Sequence, residues 1–102
     1  MEHLLVDWLP LQRWFGAKGR TIESVTVVAE QQLVSGDPSC AHVLAEIDLG
    51  EDKETYQLLV GSRHELPERL VHATIGLAGD DILYDGLHDN VVTQVVLQLL
   101  AE

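Results

Sequence analysis

Two runs of alternating residues, 40–49 and 55–60, are separated by the short polar link GEDKE, and that arrangement leaves few folds open. In the first run Ala41, Val43, Ala45 and Ile47 fall on one side and His42, Leu44, Glu46 and Asp48 on the other. A period of two belongs to an extended strand with one face turned to a core. In the second run Tyr56, Leu58 and Val60 face the same way. So short a link joins spatial neighbours, which predicts an antiparallel hairpin.

The flanking sequence adds layers to that hairpin. From Ser24 the period is again two, with Val25 and Val27 set against Thr26, and the run extends to about Val34 before SGDPS breaks it. At the start, Leu4, Trp8, Leu11 and Phe15 recur at helical spacing. Pro10 interrupts them; with Asp7 as an N-cap, Pro10 falls in a first turn, so the expectation is one short turn and then a second helix over 8–15, stopped by Gly16 and Gly19. The segment LPERLVHATIG admits either a helical turn or a strand, because Pro67 and the β-branched residues pull opposite ways. Residues 82–84 form a short strand candidate. Asp89 or Asn90 then caps a helix carrying Val91, Val92, Val95, Val96, Leu99 and Leu100 at helical intervals. The fold class expected is α+β: an antiparallel sheet of three or more strands, with an N-terminal helical segment and a C-terminal helix packed on it, the helices covering one sheet face. A chain of 102 residues buries only about two-thirds of its unfolded surface and supports one core, so residues 1–102 are expected to be one domain.

Seventeen acidic residues against six basic ones give a net charge of -11, a field that repels nucleic-acid backbones and anionic lipid. The bases are uneven: Arg13, Lys18 and Arg20 crowd into QRWFGAKGR, whereas acids dominate after Glu46. That basic corner is expected to face carboxylates, of the sheet or of a larger protein. The single cysteine, Cys40, has no internal disulfide partner, the start lacks the pattern of a secretion leader, and no run reaches the roughly 18 apolar residues of a membrane span. A cytoplasmic setting is expected.

Reactive constellations are sparse. In GAKGR only two residues separate Gly16 from Gly19 and no Ser or Thr follows a Gly-Lys pair, so the spacing that lets backbone amides and a lysine surround phosphate is missing. His3, His42, His64, His72 and His88 do not pair at the spacing of a zinc or iron motif. Asp80, Asp81, Asp85 and Asp89 lack the alternation of a calcium loop, and Cys40 has no cation adjacent in sequence to activate it. A small hydrolase built from these residues is the weakest reading.

The run WLPLQRWFGAKGR, with Trp8, Leu9, Pro10, Gln12, Arg13, Trp14, Phe15, Lys18 and Arg20, resembles the opening of actinobacterial maltokinases. The later ILYDGLHDN, followed by an aliphatic helix, is similar to the end of the N-terminal cap of those enzymes. The resemblance implies a non-catalytic cap that packs on the nucleotide-binding lobe of a kinase body in the same polypeptide. It places catalytic, cofactor-binding and metal-binding residues outside this chain; ATP and Mg2+ are implied for the full-length kinase, which phosphorylates the anomeric hydroxyl of maltose and feeds α-glucan synthesis. Trehalose synthase is a further partner that the family brings with it. On this reading Gln12, Arg13, Lys18 and Arg20 are candidates for docking to the kinase body, and Trp8, Trp14, Phe15 and Tyr84 are structural anchors. Related glucosamine kinases share the cap, and a stand-alone acidic module that binds a partner through its aromatic and basic corner is the alternative of another class. His88, Asp89 and Asn90 echo a kinase catalytic loop, but phosphoryl transfer needs an Asn five residues after the Asp, and that position is Gln94. Asp89 therefore reads as a helix cap.

Overall fold

The computed structural model describes residues 1–16 and 19–101. Its centre is the expected hairpin: β2 (Ser39–Asp48) and β3 (Lys53–Arg63) pair antiparallel in unbroken register from Ser39 opposite Ser62 to Asp48 opposite Lys53. The reversal between them is held by Asp48, whose Oδ1 accepts from the Gly50 amide at 2.9 Å, and by Gly50 itself at φ +92°, a conformation open to a residue without a Cβ. On the outer side of β2 lies β1 (Ser24–Val34). Beyond β3 come β5 (Asp81–Asp85) and then β4 (Thr74–Ala78), giving a five-stranded antiparallel sheet in the order β1-β2-β3-β5-β4.

Opposed residues of antiparallel strands share a face, so the register assigns the two sides of the sheet. Val25 and Val27 stand opposite Ile47 and Ala45, Val43 opposite Leu58, and Ala41 opposite Val60. These side chains form the main core with Leu5, Trp8 and Leu9 of the N-terminal segment and with Phe15. The α+β class and the inward faces read from the alternation are as observed.

The N-terminal segment departs from the expected turn and second helix. A helix, α1 (Glu2–Trp8), begins at once and tightens into a 3-10 turn over Leu9–Leu11 that contains Pro10. Pro10 has no amide with which to continue the α-helical bonding. The Leu9 amide still reaches the Leu5 carbonyl, the Gln12 amide closes on Leu9 at 3.0 Å, and Gln12 Nε2 donates to the Trp8 carbonyl at 3.1 Å. Asp7 lies inside α1 and is not its N-cap.

The ambiguous segment after Pro67 is both things in turn: a 3-10 helix over Glu68–Ala73, then β4. Its Leu70 and Ala73 pack with Tyr84 in a second small core. Tyr84 stands opposite Gly61, one position out of phase with Leu83 opposite Ser62, so this cluster lies on the face away from α1. The expectation that helices cover a single face is therefore corrected: helical segments sit on both. Alternation along β5 is the cause, since it sends Leu83 to one core and Tyr84 to the other. The last helix, α2 (Asn90–Ala101), buries Val92 and leaves most of its other apolar side chains exposed.

Gly61 is where the second core closes. A Cβ built there would sit 2.4 Å from Cζ of Tyr84, a ring with no exposed surface. Gly61→Ala is therefore expected to lower stability by about 1–3 kcal/mol through overpacking, read as a lower urea midpoint with an unchanged slope. A variant as stable as the parent would show that the ring can move aside.

Candidate functional site

Three side chains and one backbone amide tie β3, β5 and α2 together. Tyr84 donates its hydroxyl to Oδ2 of Asp89 at 2.5 Å, and Arg63, from the end of β3, reaches the same oxygen through Nε at 3.0 Å and Nη2 at 2.9 Å. Oδ1 of Asp89 accepts from the Val91 amide at 3.1 Å, so the carboxylate also caps α2. Asp89 is 0% exposed and Arg63 only 15%. Burial alone would raise the Asp89 pKa, but hydrogen bonds from Tyr84, Arg63 and the Val91 amide, with the guanidinium charge, outweigh it and hold the acid below the usual range. Burial and then the Asp89 carboxylate push the Tyr84 phenol up. Both oxygens of Asp89 are thus engaged, and the carboxylate is a structural pin and cap. Nearby Cys40 is buried, and burial followed by the Asp89 charge raises its thiol to about 11, which leaves it protonated at neutral pH.

The aromatic and basic corner is organised around Tyr56. Its ring lies 5.2 Å from Phe15 and 5.9 Å from Trp14, centroid to centroid, and Trp14 in turn meets Trp8 edge-on at 5.8 Å. The Tyr56 hydroxyl accepts from the Gly16 amide at 3.1 Å and donates to Oε1 of Glu54 at 3.0 Å. Trp8, Phe15 and Tyr84 are buried, whereas Trp14 is 47% exposed and leans on the outside of this cluster. Of the polar residues singled out in the sequence, Gln12 is engaged with the helix end, Arg13 is exposed, and Arg20 pairs with Asp52 of the β2–β3 turn at 3.1 Å. An ion pair so exposed contributes about 0–1 kcal/mol. Lys18 lies outside the described residues.

Two further surfaces escaped the sequence reading. An open cavity of about 170 Å³ lies between the corner and the end of β5, lined by Trp8, Trp14, Tyr56, Leu58, Leu87 and the buried Asp85 among others. The second is α2 itself, where Leu97 and Leu100 are 64% and 79% exposed and Val91, Val95 and Leu99 are also exposed. Among the described residues no cluster of three or more His, Cys, Asp or Glu is placed to hold a metal ion. No described helix is long and apolar enough to cross a membrane. Four of the five histidines engage neighbours: His64 Nδ1 lies 2.6 Å from Asp81, His42 meets Gln57 at 3.2 Å, and His72 and His88 stack edge-on.

A family model of the maltokinase N-terminal cap domain matches residues 8–89. The chain belongs to that family. The matched span starts at Trp8, in the aromatic corner, and ends at Asp89, the pin beneath α2, so it takes in all five strands of the cap. Both ends coincide with the motifs that carry the resemblance in the sequence. Arg63, which joins the pin from β3, had no such signal, because only the sheet register brings it beside Asp89.

The pin makes stability depend on acid. Asp89 titrates lower in the folded cap than in the unfolded chain, so its contribution is full above the unfolded carboxylate value of about 3.9. It is lost as pH falls through the depressed folded value. Asp89→Asn, which leaves Arg63 without its counter-charge, is expected to cost about 3 kcal/mol at pH 7. Urea unfolding as a function of pH should show the gap between parent and variant narrowing as pH falls below about 4, and a gap that did not narrow at all would remove the charge from this account.

Proposed function

We propose that this domain is the non-catalytic cap of a maltokinase-type sugar kinase, packing on the nucleotide-binding lobe of a kinase body in the same polypeptide and supporting it. The family match carries the reading. The surface of α2 supports it: its twelve residues, NVVTQVVLQLLA, include no charged side chain, yet only Val92 is buried. Apolar area left open in this way marks a surface that a partner covers. The helix begins at the residue after the matched span ends, so the kinase body is the partner argued for.

The reaction of the whole protein is then transfer of the ATP γ-phosphate to the anomeric hydroxyl of maltose, giving maltose 1-phosphate for α-glucan synthesis in the cytoplasm. Glucosamine as the acceptor is the variant of this reading, since the related kinases share the cap. The cap's part is mechanical, as Asp89 is engaged in holding the fold. Arg13, Arg20 and Lys18 are proposed to add charge pairing at the same junction, where an arginine can engage a carboxylate through two parallel hydrogen bonds. Gln12 is proposed to take part by shaping the end of the first helix. Association with trehalose synthase rests on the family resemblance alone.

The reading is tested by assaying the polypeptide that carries this cap for sugar-dependent ATP consumption beside the 102-residue chain alone. The long protein is expected to phosphorylate maltose and the cap alone to consume no ATP. Turnover by the purified cap would sink the proposal. Leu97→Glu with Leu100→Glu should leave the cap folded, because both side chains are exposed, while weakening its hold on a separately expressed kinase body by about tenfold or more; unchanged binding would take α2 out of the interface.

A further inference from the structure

β3 is covered on its outer side for only part of its length. β5 pairs with it through Val60, Gly61, Ser62 and Arg63 and then ends at Asp85. There the chain turns away through a 3-10 turn, with Gly86 tight against Leu59; a Cβ on Gly86 would lie 3.1 Å from the Leu59 carbonyl oxygen. Over residues 53–58 none of the described strands lies on that side. Every second residue of such an edge turns an amide and a carbonyl outward with no partner.

The other edges of the sheet are treated differently. β1 is bulged between Val27 and Ala29 and again between Gln32 and Val34, and Glu2 of α1 takes the Val27 amide at 2.5 Å. β4 is bulged between Thr74 and Gly76. Bulges and inserted carboxylates stop other strands from adding. The open part of β3 has neither: its register with β2 is unbroken, and KETYQL contains no proline or glycine. Beside it lies the cavity of about 170 Å³, floored by Tyr56 and Leu58 and walled by Trp8, Trp14 and Leu87. A strand laid along this edge would continue the line of β5, and its alternate side chains would point to the cavity face.

We propose that residues 53–58 of β3 are a strand-addition site, filled by an extended segment of the kinase body that puts one large apolar side chain into this cavity and flanks it with Lys or Arg. This rests on the reading of the chain as a kinase cap. Charge chooses this occupant over a second copy of the cap. Glu51, Asp52 and Glu54 outnumber Lys53 at this end of the strand, although Arg20 pairs with Asp52; Asp85 lines the cavity, and pairing two copies would bring together two chains of net charge -11. Backbone pairing supplies affinity in such a complex, and the pocketed side chain supplies register.

Hydrogen exchange decides it, comparing the polypeptide that carries cap and kinase body with the 102-residue chain alone. The outward amides among residues 53–58 should exchange about tenfold or more slowly when the body is attached. Leu87→Glu, at an exposed position on the cavity wall, should abolish that slowing in the long protein while protection of α2 remains. Slowing that survives Leu87→Glu would overturn the cavity's role. Protection of α2 without protection of residues 53–58 would overturn this proposal and leave the cap reading standing. If neither slows, both fall. Concentration-dependent protection of the edge in the short chain alone would make a second copy the occupant and overturn the choice of partner.

Discussion

One carboxylate decides how β3, β5 and α2 are joined. Asp89 receives the hydroxyl of Tyr84 from β5, the guanidinium of Arg63 from β3 and the Val91 amide of α2. An acid with no exposed surface would be costly to ionise by itself, and here three donors and a positive charge offset that cost. The same contacts hold the Tyr84 ring against Gly61, which explains the glycine within the strand. They also fix where β5 stops and where α2 starts, so the open stretch of β3 and the exposed helix both follow from the position of this pin.

The core on the α1 face is of another kind. It is aliphatic, drawn from β1, β2 and β3, and sealed by Leu5, Trp8, Leu9 and Phe15. Its stabilisation is the non-directional transfer of apolar area from water. The Tyr84 side is small and polar at its centre, so specificity there comes from hydrogen-bond geometry more than from area. The corner QRWFGAKGR stands at the rim of the first core: Phe15 enters it, Trp14 covers the rim, and Arg20 reaches the acidic turn between β2 and β3.

Within the family of maltokinase caps, this domain leaves two surfaces open. A helix with several exposed apolar side chains and a sheet edge beside an aromatic cavity lie to either side of the same pin. Under the proposed reading the cap holds another part of the protein in place.

The sequence alone determined the strands of the central hairpin, because a period of two sorts side chains onto faces before any partner is known, and Ala41, Val43, Ala45, Ile47, Leu58 and Val60 all point inward as their alternation requires. It also determined the helix cap at Asp89, since a short acid before an aliphatic run has few other uses. Tertiary structure decided what local pattern leaves open. Pro10 ended a helix that had already begun at Glu2, because sheet packing of Leu5 and Trp8 outweighed the local cap at Asp7. The apolar residues of α2 read as a core face in sequence, yet most stand exposed, because periodicity shows that a helix has an apolar side and not which surface covers it. Arg63 became part of the pin only through the pairing of β3 with β5, a contact between residues 26 apart that no local spacing encodes.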